Sequence, residues 1–216
     1  MSDFQTRRTM MVDTQVRPSD VTKFPIIGAM LSVPREAYVP QSQRQAAYAS
    51  DNLEVGAGRW LLEPRTFAKM LDALSIQAGD LVLDIGCGLG YSSAVLADMA
   101  EAVIAVEIEE LANEAQTILA EQSVDNVAVI AGDLAAGAAK HGPYDAIIVQ
   151  TGMEVIPTAL TDQLRDCGRI AVLVMTGALG EVRIGHKDNG RVSWKYAFNA
   201  TVPVDAEFKK TAEFQL

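Results

Sequence analysis

One stretch limits what this chain can become: Leu81-Val82-Leu83-Asp84-Ile85, then Gly86-Cys87-Gly88-Leu89-Gly90, then Tyr91-Ser92-Ser93. The opening run is short and almost wholly apolar, the mark of a strand buried on both faces. Such strands belong to parallel sheets covered by helices. Glycines at alternate positions then let the backbone turn sharply and let a ligand approach it closely. The pattern predicts a helix from Tyr91 to Ala100. Its start points unpaired N–H groups and a positive dipole end back at the turn. Asp84 falls at the carboxyl end of the strand, where open α/β sheets bind their ligands.

The glycine spacing separates two ligand classes. In the dinucleotide fingerprint the third glycine follows the second by three positions. Here Gly88 and Gly90 are two apart, and an acid, Asp84, precedes them. The stretch resembles the first motif of Rossmann-like S-adenosylmethionine-dependent methyltransferases. The resemblance implies S-adenosyl-L-methionine as cofactor and S-adenosyl-L-homocysteine as product. A helix start suits the carboxylate of that ligand, Asp84 suits its ammonium, and Gly86, Cys87, Gly88 and Gly90 give it backbone to lie against.

The strands that follow keep the pattern. Residues 102–107 form the second strand, and Glu107 ends it 23 positions after Asp84 (107 − 84). An acid there can accept both ribose hydroxyls, as in dinucleotide folds; a solvated side chain beside Glu109 and Glu110 is the competing reading. Ile108 would lie against the adenine. A helix over 109–122 shows Leu111, Ala115, Ile118 and Leu119 on one face. The third strand runs from Val127 toward Leu134. Asp133 stands where the methyltransferase pattern places a residue bonding the adenine amino group, with Leu134 as an apolar wall. Capping the next helix is a second reading of Asp133, compatible with the first. The fourth strand, from Tyr144, ends at Gln150-Thr151-Gly152 and would face the transferred methyl group. Pro157 opens a helix to about Arg165, and Arg169 to Met175 is the fifth strand. Alternating residues on either side of Asp188-Asn189-Gly190-Arg191 predict an antiparallel hairpin closing the sheet. The tail from Pro203 carries only a weak pattern.

The amino-terminal third reads as a cap. A helix is expected from Phe4 toward Pro18, and a second from Ile26 to Leu31 opened by Pro25. Residues 33–40 are too proline-bounded for regular structure. Gly56 and Gly58 mark a bend or hairpin. Pro64 opens a helix with Phe67, Met70, Leu71 and Leu74 on one face.

Taken together, several blocks resemble the protein-L-isoaspartate O-methyltransferases. They are Val33-Pro34-Arg35-Glu36-Ala37-Tyr38-Val39-Pro40, Ala47-Tyr48 with Asp51, Gly56-x-Gly58, Pro64, the glycine turn, Pro143-Tyr144-Asp145 and Ile156-Pro157. They run in order across about residues 10–175. The resemblance implies methylation of the carboxylates of damaged aspartyl residues, with a protein or peptide bearing isoaspartyl sites as partner. One departure bears on the acceptor. Where that family typically carries Gln-Thr-Ile-Ser, this chain has Arg59-Trp60-Leu61-Leu62. Two hydroxyls of the methyl-transfer site are gone. Arg59 could hold a carboxylate with paired planar donors; its plain alternative is a solvated side chain. Trp60 could stack near the sulfonium, a contact of ~0.5–2 kcal/mol; its plain alternative is core packing. Arg59, Trp60, Leu62, Gln150 and Thr151 are therefore the substrate-side candidates. No catalytic base is assigned, because a carboxylate acceptor is already ionised.

Charge and composition narrow the rest. A net charge of −10 opposes nucleic-acid binding. No apolar run reaches membrane-spanning length, and none follows the first residues as a leader would, so a cytoplasmic protein is expected. Cys87 and Cys167 lack metal-ligand spacing, no metal is expected, and His141 and His186 have no acidic or cysteine cluster nearby. The expected architecture is one α/β domain. It is a Rossmann-like, seven-stranded, mostly parallel sheet with an antiparallel carboxyl-terminal hairpin. Residues 1–63 supply the helical cap and substrate-side loops, and residues 64–216 the core. Alternative functions are methyl transfer to a different acceptor, or cofactor binding without isoaspartyl activity. The oligomeric state is left open.

Overall fold

A computed structural model of the protein describes residues 3–210. The cap opens with α1 (Asp3–Met11), whose run continues through a π turn over Val12–Val16 and a 3-10 turn over Arg17–Ser19. Next comes α2 (Phe24–Ser32), with Pro25 in its first turn where a missing N–H costs nothing. Residues 33–40, expected to be irregular, hold one 3-10 turn, Arg35–Tyr38. A second 3-10 segment covers Gln41–Ala46. The hairpin β1 (Leu53–Gly56) and β2 (Arg59–Leu61) follows, turning through Gly56, Ala57 and Gly58, all with positive φ.

The core begins with α3 (Pro64–Leu74), which buries Phe67, Met70, Leu71 and Leu74 as their spacing predicts. The main sheet contains β3 (Leu81–Ile85), β4 (Ala102–Glu107), β5 (Val127–Ala131), β6 (Tyr144–Met153), β7 (Leu164–Thr176), β8 (Leu179–Asp188) and β9 (Arg191–Asn199). Its order is β5-β4-β3-β6-β7-β8-β9. The pairs from β5 to β7 are parallel, while β7–β8 and β8–β9 are antiparallel. The fold is thus the Rossmann-like α/β arrangement with a closing hairpin. Asn189 and Gly190, with φ of 49° and 76°, make that hairpin's two-residue turn. The direction of winding reverses between β3 and β6, so the ligand crevice of such a sheet opens there.

The helices α4 (Tyr91–Ala97), α5 (Glu109–Glu121) and α6 (Thr158–Asp162) connect the strands. Two of them are shorter than their sequence suggests. The last turn of α4 loosens when Met99 N–H takes the Leu96 carbonyl at 2.9 Å. α6 stops before Gln163 because that residue is used elsewhere: its carbonyl accepts from Tyr144 N–H at 2.8 Å, and its side chain caps Ala138 N–H. Cap residues such as Val16, Ile26, Met30 and Tyr38 share one hydrophobic core with α3, α4 and one face of the sheet. The opposite face buries Leu83, Ile147, Val149, Leu134 and Phe208.

The tail from Pro203 is the largest surprise, since its described residues are held by contacts with distant segments. Val204 bridges to Gly152 at the end of β6. Gly152 N–H donates to the Pro203 carbonyl at 3.2 Å, and Asp205 N–H returns to the Gly152 carbonyl at 3.1 Å. A Cβ on Gly152 would stand 2.7 Å from the Val202 carbonyl oxygen, so only glycine admits this close approach. A 3-10 turn, Ala206–Phe208, then drops Phe208 into the core at 1% exposure. The remainder of the tail, 211–216, lies outside the described residues.

Candidate functional site

The site is the carboxyl edge of the sheet, where the ends of β3, β4 and β6 meet the β1–β2 hairpin and the tail. Its floor is the glycine turn. Gly86, Gly88 and Gly90 all have positive φ, from 56° to 96°. Gly86 N–H donates to the Val106 carbonyl, and Gly90 N–H to that of Cys87, both at 2.9 Å. Cys87 is buried in this turn. Burial, with Asp84 and Glu107 adding to it, raises its thiol well above the usual range.

Asp84 is completely buried. One of its oxygens accepts from Ser92 and Ser93 hydroxyls at 2.6 and 2.7 Å, and the other from Gln150 Nε2 at 2.9 Å. Burial pushes its carboxyl above the ordinary range, and the three donors pull it back. Sequence reasoning gives Asp84 an ammonium to hold directly. In the structure its oxygens are instead spent on the first turn of α4 and on the end of β6, across the β3/β6 crevice. It ties the glycine turn to α4 and to the end of β6. Ser92 and Ser93 were legible only as part of the motif, not as its partners.

Glu107 is also completely buried, and its environment is different. Oε1 accepts from Ile108 N–H at 2.8 Å and Oε2 from Gly88 N–H at 2.8 Å. The remaining partner is a cation: Arg59 Nε donates to Oε1 at 2.8 Å. Arg59 is 5% exposed, which disposes of the solvated reading. It does hold carboxylates, but they are the chain's own. Its Nη1 pairs with Asp205 of the tail, and its Nη2 lies 4.0 Å from Glu207. Asn52, just before the hairpin, donates to the Thr201 carbonyl at 2.7 Å, in the segment that leads into the tail.

The other candidates divide. Asp133 is exposed and accepts from the N–H groups of Ala135 and Ala136 at 2.8 and 3.1 Å. It caps a turn, not a helix. A hydrogen bond with Glu207 holds its carboxyl below the usual range, while burial and the same bond raise that of Glu207. Leu134 is fully buried on the second core face, with Gly86 beside it. Ile108 packs on the main core. Thr151 is buried and donates to the Pro203 carbonyl at 3.4 Å. Leu62 is 2% exposed within the cap core, and Trp60 packs partly buried against the same core. Asp205 and Glu207 are the site residues that sequence reasoning missed. Their only signal is an acid-x-acid step before a lone aromatic, Asp205-Ala206-Glu207-Phe208.

Among the described residues there is no group of three or more His, Cys, Asp or Glu side chains that could hold a metal. No helix among them is long and apolar enough to cross a membrane. The donor set does fit an adenosyl amino acid: positive-φ glycines for backbone approach, Glu107 at the end of β4, and Asp133 with Leu134 after β5. The fit has one reservation built into the structure, that Arg59 already occupies Glu107.

Comparison with known proteins agrees with this geometry. Residues 7–206 match the family model for protein-L-isoaspartate(D-aspartate) O-methyltransferase. A curated protein-L-isoaspartate O-methyltransferase from Syntrophus aciditrophicus is 38% identical over 175 residues, 81% of this chain and 80% of the relative. One from Gloeobacter violaceus is 41% identical over 167 residues, 77% of this chain and 82% of the relative. Among solved structures, a protein-L-isoaspartate O-methyltransferase superposes with a TM-score of 0.80 at 22% identity, covering 93% of this chain and 67% of the other. A Plasmodium falciparum chain described as the same enzyme, in complex with S-adenosyl-L-homocysteine, gives 0.80 at 19%, covering 98% and 100%. At these identities the two superpositions speak for the fold.

Proposed function

This chain belongs to the protein-L-isoaspartate(D-aspartate) O-methyltransferase family, and from that premise we propose that it transfers a methyl group from S-adenosyl-L-methionine to a carboxylate, with isoaspartyl sites of proteins or peptides as the acceptor. The observation that carries the reading is the family match over residues 7–206, which takes in the glycine turn, Glu107, Asp133 and Asp205 alike. When bound, S-adenosyl-L-methionine supplies a methyl carbon activated by a positively charged sulfur. Glu107 would hold the ribose hydroxyls, Asp133 and Leu134 the adenine, and the Gly86–Gly90 turn the amino acid end. Asp84 acts at one remove, fixing α4 and Gln150 so that the turn keeps its shape.

The acceptor carboxylate is ionised at neutral pH, so the chain needs no general base. Both histidines stand away from the site: His186 pairs with Arg169 at the start of the central run of β7, and His141 precedes β6. What the protein must supply is orientation of the acceptor and exclusion of water. The buried ends of β6 at Gln150 and Thr151, and the tail laid over them, serve that exclusion.

A second reading rests on the burial of Leu62 in the cap core and on Trp60 beside it. These take the places of the family's two hydroxyls, which favours a less polar acceptor or loss of isoaspartyl activity. One assay separates the readings. A labelled methyl donor is incubated with an isoaspartyl peptide and with its aspartyl control. Base-labile label on the isoaspartyl peptide alone is the expected result. Label on other cell components, or none at all with the cofactor bound, moves the assignment to the second reading.

A further inference from the structure

A carboxylate offers about four lone-pair positions to donors. Glu107 has already filled three, with Gly88 N–H, Ile108 N–H and Arg59 Nε. A ribose diol brings two hydroxyls. Both cannot be accepted while all three present donors stay. The two N–H groups belong to fixed backbone at the ends of β3 and β4, so Arg59 is the one donor able to leave. It rides on a hinge suited to that. Gly56, Ala57 and Gly58 precede it with φ of 120°, 49° and 74°, and a side chain added at Gly58 would meet nothing within 4 Å. The bond it would give up is also cheap to exchange, because the desolvation of two buried charges offsets much of their attraction. Leaving Glu107 does not strand the guanidinium. Its Nη1 edge stays on Asp205, whose own N–H is tied to Gly152 at the end of β6. Nε then becomes a released donor beside the strand end that faces the transferred methyl, next to Nη2, which lies 4.0 Å from Glu207.

We propose that Arg59 is a displaceable occupant of the ribose-acceptor position: it pairs with Glu107, gives it up to the ribose hydroxyls, and then presents its released Nε donor to the carboxylate of the acceptor. The proposal rests on the methyltransferase reading above and adds to it an order of events, nucleoside ligand first and acidic acceptor second. It also assigns the family departure at this position a purpose, since a planar fork replaces hydroxyls as the carboxylate anchor.

The test is a calorimetric titration of the full chain with S-adenosyl-L-homocysteine, using wild type, Arg59→Ala and Asp205→Asn, with the melting temperature of each recorded. If Arg59 competes with the ribose, Arg59→Ala binds roughly tenfold more tightly than wild type. Asp205→Asn keeps the oxygen that caps the Ala206–Phe208 turn while loosening Arg59, and binds tighter by a smaller factor; it serves also if Arg59→Ala fails to fold. With an isoaspartyl peptide, Arg59→Ala raises KM by roughly tenfold or more while kcat changes less, and Arg59→Lys recovers part of the loss. Equal or weaker binding of S-adenosyl-L-homocysteine by both variants, with wild type binding normally, overturns the proposal and leaves the methyltransferase reading intact. Binding by Arg59→Ala with none by wild type supports it strongly. If no form binds, the methyltransferase reading falls and takes this inference with it.

Discussion

Two arginines, 24 positions apart (59 − 35), are both buried, and the regions that hold them behave differently. Arg35, in the cap, is completely enclosed and makes no ion pair with an acid among the described residues. Its Nε donates to the Ala47 carbonyl at 2.6 Å and its Nη2 to the Leu62 carbonyl at 2.7 Å, and the guanidinium lies 4.8 Å from the centre of the Tyr91 ring. Burial lowers its pKa, and Tyr91 works against that shift. Arg59, at the carboxyl edge, is surrounded by acids instead. Backbone carbonyls have nowhere else to go, so Arg35 is a permanent brace that ties the hairpin region to α4. A carboxylate such as Glu107 can be offered another partner, so Arg59 is held on terms that a ligand can change. Equal burial does not mean equal commitment.

The sharpest way to break this contrast is at Arg35. Arg35→Met keeps most of the volume and leaves two buried carbonyls without donors, at ~1–3 kcal/mol each. Urea unfolding is expected to show a loss of ~3–5 kcal/mol that added S-adenosyl-L-homocysteine does not repair. Leu62→Ser comes next. Restoring the family's hydroxyl here opens a hole in the cap core and buries a hydroxyl without a partner, so a loss of ~2–4 kcal/mol is expected on the same measurement. Trp60→Thr, at a partly exposed position, costs less and is the better probe of whether a hydroxyl raises isoaspartyl activity. Arg59→Ala should cost only ~2 kcal/mol. That is below the ~3–5 kcal/mol of a fully abandoned buried charge, because Gly88 and Ile108 still serve Glu107. Ligand adds to Arg35→Met the same increment it adds to wild type, so that deficit persists, whereas the roughly tenfold tighter binding expected of Arg59→Ala adds about 1.4 kcal/mol more and narrows its deficit. A loss at Arg59 as large and as ligand-insensitive as that at Arg35 would erase the distinction between the two regions.

The smallest effect concerns pH and the tail. The raised carboxyl of Glu207 contributes stability that is fully present below the ordinary glutamate range and is lost as pH rises through its raised value. The lowered carboxyl of Asp133 contributes stability present above the ordinary aspartate range and lost as pH falls through its lowered value. The tail is therefore held best between the two, with Glu207 protonated and Asp133 ionised. Both groups are solvent-reached, so less than ~1 kcal/mol is expected. The amide resonance of Asp205, followed against pH, should shift as the window closes on its upper side, and Glu207→Gln should flatten that arm.

How legible all this was depends on the range of the contacts. Strands β3, β4 and β6 announce themselves because each is buried on both faces and reads as an apolar run. The Asn189-Gly190 turn is written in two adjacent residues that tolerate positive φ. The positions of Asp84, Glu107 and Asp133 follow from strand ends in the same way. Their partners do not. Gln150 reaches Asp84 across 66 positions, and Arg59 reaches Glu107 across 48. No local pattern encodes such a meeting. The tail is the extreme case: no period marks residues 203–208, because their order comes from Gly152, from Arg59 and from the pocket that takes Phe208. The early end of α6 has the same origin, in the use of Gln163 by Ala138 and Tyr144.

The triangle of Arg59, Glu107 and Asp205 also has a bearing on descent. Each corner comes from a different third of the gene, yet none is neutral alone: losing the cation leaves two acids with backbone donors but no countercharge, and losing either acid leaves the cation underemployed. Relatives with an uncharged residue at position 59 should therefore also lack the acid at 205, while keeping the one at 107 for the nucleoside. On this account a lineage that rewrote the hairpin at this position is expected to have rewritten the tail as well.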